Sequence, residues 1–217
     1  MALIDLTHRI TAGMTTYPGL PGPRISDHIS REATRERFGP DVAFQIGEIS
    51  MVANTGTYLD SPFHYHGDAD DLASLPLERT ADLPGLVVAP PAGRRGLTAA
   101  DLDGLDVAGR AVLVRTGWDR HFGTPGYAAP DHPFVAADAV DALIAGGAVL
   151  AGIDAVNIDD MADPARPAHT RLLAAGIPIV EHLTGLDRLP AEGFRFHAAP
   201  APVQGMGTFP VRAYAVV

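Results

Sequence analysis

The chain has 217 residues, 47% of them hydrophobic and 19% charged, with a formal charge of −10, which is enough apolar content to bury one sizeable core. Cysteine is absent and all 16 basic residues are arginine, so disulfides, thiolate nucleophiles, Cys-based metal sites, lysine Schiff bases and a Walker A loop are all excluded. The acidic balance, with no basic run denser than Arg94 and Arg95, argues against a nucleic-acid partner. Apolar stretches such as 147–153 fall far short of the ~20 residues of a membrane span, and residues 1–6 lack the features of a signal peptide, so the expected location is cytoplasmic.

The 23 glycines and 19 prolines are scattered between short apolar runs, without internal repeats or low-complexity segments, and predict many brief elements within a single domain spanning 1–217. In chain order, clusters of β-branched and aliphatic residues predict strands at 2–6, 43–53 and 86–88. The Thr98 hydroxyl is placed to cap a short helix over 99–102, and a strand follows at 111–114. Ala136, Ala139, Val140, Leu143 and Ile144 fall on one helical face that Gly146 and Gly147 terminate. The remainder reads as strand 149–153, helix 168–175, strand 177–183 and strand 211–216. Loops 19–38 and 122–133 are expected to shape any pocket. Strands and helices alternate in the second half, which points to a mixed α/β or α+β architecture.

The run Asn54-Thr55-Gly56-Thr57-Tyr58-Leu59-Asp60-Ser61-Pro62-Phe63-His64-Tyr65-His66 is polar for a strand. At period two it puts Asn54, Tyr58, Asp60, His64 and His66 on one side and Leu59 and Phe63 on the other, with Gly56 and Pro62 expected to bend it. A solvated edge strand would have the same pattern. A second group shifts the balance. His169 opens helix 168–175 with Leu172 and Leu173 at i+3 and i+4, so its imidazole lies on the apolar side. Glu181 shares a strand face with Ile177, Ile179 and Leu183, where a carboxylate must be answered by a metal, a cation or a proton. The helix is ~11 Å long and residues 177–181 cover ~13 Å, so an antiparallel return brings Glu181 beside His169. A purely structural hydrogen-bonded pair would satisfy the same geometry.

These two segments, with Ile4-Asp5-Leu6-Thr7-His8, Tyr17-Pro18-Gly19, Arg115-Thr116-Gly117-Trp118, Gly152-Ile153-Asp154, Gly176-Ile177-Pro178-Ile179-Val180-Glu181 and Pro210-Val211-Arg212, resemble the cyclase family that includes bacterial kynurenine formamidase and isatin hydrolase. The resemblance implies an α/β fold of the swivelling β/β/α type with a mixed sheet, and a homodimer or homotetramer. In the formamidase branch it implies two zinc ions bridged by the residues matching Asp60 and Glu181, with His169 completing one ion's site and two motif histidines the other's. It also implies that His64 donates and accepts the proton and that Tyr17 lines the substrate pocket. The family motif His-x-Gly-Thr-His-x-Asp-x-Pro-x-His is altered here: Asn54 and Tyr58 stand where the two metal-binding histidines would be. A neutral amide and a phenol of ordinary pKa ~10 are poor ligands, so the first ion is expected to be absent. Asp60, His169 and Glu181 could still hold one divalent metal, zinc or manganese, with His66 an additional ligand. With no cofactor at all, Asp60 and Glu181 would raise one another's pKa and still serve acid–base chemistry.

Three readings follow, each with a small-molecule substrate. The first is an enzyme without the usual dinuclear centre that uses His64, Tyr58, Asp60, His169 and Glu181 for acid–base chemistry, cyclising or dehydrating a carbonyl metabolite, with Tyr58 polarising the carbonyl and Tyr17, Asn54 and His66 contacting it. The second is a metal-dependent amide or lactone hydrolase of the formamidase type. The third is a non-catalytic binding protein descended from the enzyme. His8, His28, His121, His132 and His197 read as solvated, His182 alternates away from Glu181 and stays outside the site, Trp118 packs at a strand end, and Arg212 pairs with a carboxylate near the site or across a subunit contact.

Overall fold

The computed structural model describes residues 1–217. Its strands are β1 (Leu3–Asp5), β2 (Arg24–Ile29), β3 (Ile46–Ser50), β4 (Tyr58–Asp60), β5 (Leu83–Val88), β6 (Gly96–Leu97), β7 (Ala111–Val114), β8 (Phe134–Val135), β9 (Leu150–Ile153), β10 (Ile179–Glu181), β11 (Glu192–His197), β12 (Thr208–Pro210) and β13 (Tyr214–Val216). The helices are α1 (Arg31–Phe38), α2 (Ala137–Ala145) and α3 (Pro167–Ala174). Nine strands form one mixed sheet in the order β1-β13-β11-β5-β7-β9-β10-β4-β12. Its centre, β5-β7-β9-β10, is parallel, and antiparallel strands close both sides.

A parallel centre must be covered on both faces, which is why β7 reads Ala-Val-Leu-Val without polar alternation. Val112 and Val114 pack with Leu86, Ile153 and Ile179 against Val140 and Leu143 of α2 and Leu172 and Leu173 of α3. Ala111 and Leu113 face the other way, with Leu150, Val180, Phe194 and Phe196. Strand β4 lies between β10 and β12 in register, so that Tyr58 stands opposite Glu181 and Pro210, and Asp60 opposite Ile179 and Thr208. Leu59 and Val180 point to the second core. The polar face of β4 therefore meets the N-terminal half of α3, on the helix-covered side of the sheet.

The prediction of a strand over 54–66 is corrected to the three residues Tyr58–Asp60, followed by a 3₁₀ turn, Pro62–His64. Proline at 62 cannot donate to the ladder, and the chain leaves the sheet there. The region predicted as a loop at 19–38 holds β2 and the polar helix α1, capped by the Ser30 hydroxyl accepting from Ala33 N at 3.3 Å. With β3 they form an arm over residues 24–50 that projects from the main sheet, its strands paired only with each other.

Candidate functional site

Asp60 is fully buried and its two oxygens have different surroundings. The Thr208 hydroxyl donates to Oδ1, whereas Oδ2 has no hydrogen-bond partner and lies 3.9 Å from His169 Nε2. His169 is aimed from behind. Its Nδ1 donates to Asp159 Oδ2 at 2.6 Å, and the same carboxylate accepts from Ala168 N at 2.6 Å and His169 N at 3.1 Å, which ties the first turn of α3 to the loop before it. Nε2 is thus left facing Asp60 and Glu181, whose Oε1 is 3.7 Å away. Glu181 is held in turn by Ile158 N donating to Oε1 and the Tyr58 hydroxyl donating to Oε2, both at 2.7 Å.

Burial dominates the electrostatics. Desolvation pushes Asp60 up to about 6 and raises Glu181, which the His169 cation opposes. His169 loses stability as a cation through burial, yet Glu181, Asp159 and Asp60 together lift it to about 9. Tyr58 is raised well above 10 by burial and by the Glu181 and Asp60 carboxylates. The phenol therefore keeps its proton and commits it to Glu181, which corrects the expectation that Tyr58 polarises a substrate carbonyl. His64 is lowered by burial and by the His169 cation, so it is a neutral base near pH 7. Because the Thr208 hydroxyl donates to Asp60, it accepts from His64 Nδ1 at 3.1 Å, and Nε2 of His64 keeps its lone pair.

A cavity of about 310 Å³ opens on this group. Tyr17, Asn54, Tyr58, His64, His169 and Glu181 line it, and the Tyr17 hydroxyl donates to Met161 Sδ at 3.2 Å. Asp60, His64 and His169 bring ligand atoms within 4.8 Å of one another and could hold a metal ion; Glu181 is outside that set, with its Oε1 3.7 Å from His169 Nε2. The residues fit one divalent ion: the orphaned Asp60 Oδ2 faces an imidazole nitrogen whose ring is held by a second carboxylate, the arrangement that metal-binding histidines show. They do not fit a second ion beside Tyr58, because that phenol is a donor to Glu181.

A family profile described as "Putative cyclase" matches residues 4–160. The chain belongs to the cyclase family. Kynurenine formamidase of Maricaulis maris is 31% identical over 184 residues, covering 81% of this chain and 82% of that relative. Isatin hydrolase A from Labrenzia aggregata, solved with benzyl benzoate, shares the fold with a TM-score of 0.86 at 24% identity over 100% of this chain and 93% of that one. A structure described as a potential metal-dependent hydrolase with cyclase activity gives a TM-score of 0.79 at 26% identity over 99% and 96%.

For this cyclase-family enzyme the structure brings together Asn54, Tyr58, His64, His169, Glu181 and Tyr17 at the cavity, with Asp60 beneath. His66 lies apart, its Nε2 at 3.0 Å from Thr170 O. Asp159, which no sequence pattern singles out, belongs to the site, and the expectation that His182 stays outside it is corrected. His182 is buried and joins the network, Nε2 donating to the Tyr58 hydroxyl at 3.2 Å while Nδ1 accepts from Tyr127 at 2.8 Å. Its φ of +56° breaks the strand alternation, which turns the ring inward. Two of the histidines read as solvated are corrected as well. His132 is fully buried and accepts from Met161 N at 3.2 Å, and the His8 ring stacks on Phe122 at 3.6 Å with Nε2 enclosed. Arg212 pairs with Asp5 of its own chain at 2.6 Å, away from the site.

Proposed function

We propose that the chain hydrolyses an amide or a lactone, such as an N-formyl arylamine, with one divalent ion, zinc or manganese, held by Asp60, His169 and Glu181. The observation that carries this reading is Asp60 Oδ2, a buried carboxylate oxygen without a partner, aimed at an imidazole that Asp159 has already oriented. An ion bound there supplies Lewis-acid polarisation of the carbonyl and acidifies water. His64 accepts a proton at Nε2 during attack and returns it to the leaving nitrogen or oxygen, its ring held by Thr208. Tyr58 and His182 keep Glu181 fixed and ionised by donating towards it in series. Chelation is expected to abolish formamide hydrolysis, and added zinc or manganese to restore it. Full turnover in the chelated protein would reject this reading.

That second outcome would favour metal-free acid–base chemistry, a cyclisation or dehydration. What supports it is the charge pattern: His169 lies at 2.6, 3.7 and 3.9 Å from three carboxylates and offsets part of their charge unaided. A binding protein would keep its biological phenotype when His64→Ala and Asp60→Asn are introduced.

The whole chain is proposed to act as one domain, in the cytoplasm, as a homodimer or homotetramer assembled through the arm. Ile25 and Ile49, paired across β2 and β3, are 51% and 49% exposed, and Phe38, Val42, Phe44 and Ile46 are exposed beside them. The arm carries Arg24, Arg31, Arg35 and Arg37 against Asp27, Glu32, Glu36, Asp41 and Glu48. It is therefore nearly neutral in an otherwise acidic chain, and two copies can meet there without repulsion. Sedimentation is expected to show a multimer that Ile25→Glu with Ile49→Glu dissociates, and a wild-type monomer would refute this assembly.

A further inference from the structure

The lining of the cavity includes a cation that the chemistry above does not use. Arg166 lines the cavity beside Asn157, and its backbone sits at φ +44° and ψ +60°, one of three non-glycine residues with positive φ. That conformation strains an L-residue and suits glycine or asparagine better, so keeping a long side chain there needs a use for the side chain. The guanidinium donates from Nη1 to the neutral Asn157 Oδ1 at 3.1 Å and enters no ion pair. The neighbouring N–H groups of α3 are already committed, Ala168 N and His169 N both donating to Asp159. Arg166 is thus the free anion-binding fork of the cavity, steadied at one corner by an amide that also accepts from Asp159 N at 2.9 Å.

We propose that Arg166, braced by Asn157, is a carboxylate subsite, and that the substrate is a carbonyl compound bearing a carboxylate which the guanidinium grips while the reacting carbonyl lies over Asp60, His64 and His169. A planar fork matches a carboxylate with two parallel hydrogen bonds, a geometry that lysine does not reproduce. The subsite also explains how an anion is held in a cavity lined by Glu181: the guanidinium answers its charge. The inference rests on the hydrolytic reading for the role of the carbonyl, but not for binding.

Two probe pairs test it on the whole protein. N-Formylanthranilate and N-formylaniline differ only in a carboxylate, and so do benzoate and benzene. Wild type is expected to prefer N-formylanthranilate in kcat/KM by roughly 10–100-fold, most of it in KM. Arg166→Met is expected to erase the preference, and Arg166→Lys to keep part of it. Equal treatment of the two formamides by wild type, or equal losses on both in Arg166→Met, would overturn the proposal and leave Arg166 a loop anchor. If neither formamide turns over, the hydrolytic reading fails and calorimetry decides the subsite. Benzoate binding that weakens at least tenfold in Arg166→Met supports it, and benzoate binding unchanged by that substitution refutes it.

Discussion

Asp159 touches no substrate, yet it sets which nitrogen of His169 faces Asp60. Asp159→Asn keeps the shape and removes the charge that holds the imidazole, so zinc or manganese affinity, measured by calorimetric titration, is expected to fall roughly 10–100-fold while the fold stays intact. Tyr58→Phe strips Glu181 Oε2 of its donor and leaves the buried His182 Nε2–H without an acceptor. An unmade buried hydrogen bond costs about 1–3 kcal/mol, and urea denaturation should show a loss of that size. Which residues were legible follows from backbone regularity. Asp60, His169 and Glu181 could be found because they lie on short regular elements, where period two or 3.6 assigns a face. Asp159 sits in the irregular connection between β9 and α3, and His182 at a positive φ, so no periodicity pointed to either.

At the level of elements, β12 and the turn after β4 act as one unit. Gly207 passes so close to the turn that a Cβ there would meet His64 N at 2.6 Å and Cα at 2.5 Å, while its carbonyl accepts from Ser61 N at 2.7 Å. Gly207→Ala must push the turn aside and move the His64 ring off Thr208. A shift of about 1 Å in a proton-transfer group can cost ~100-fold, so kcat should drop by roughly that factor with little change in secondary structure by circular dichroism. The predicted strands at 111–114 and 149–153 and helices at 136–144 and 168–175 match β7, β9, α2 and α3 within a residue or two, because core packing fixed both their pattern and their ends. Helix α1 buries only Thr34 and so has no apolar stripe to read. Strand β11 did have a signal, the buried Phe194 and Phe196 alternating with the exposed Gly193 and Arg195.

For the molecule as a whole, the buried histidines tie stability to pH. Burial pushes His8 down to about 4, against a weaker pull from Asp119, so the folded chain holds it neutral while the unfolded chain takes up the proton below its ordinary pKa of ~6.5. The unfolded state therefore gains on acidification from pH 6.5 towards 4, and His8 costs the fold more across that window before levelling off. His8→Phe keeps the stack on Phe122 and removes the titration, so its urea midpoint relative to wild type should rise between pH 7.5 and 4.5; a constant difference would refute this. The proposed hydrolysis depends on one ion lying among Asp60, His169 and Glu181. Elemental analysis of the protein equilibrated with zinc or manganese tests it most directly. Wild type should retain one ion per chain and Asp60→Asn close to none, whereas two ions in wild type, or an unchanged content in the variant, would contradict it.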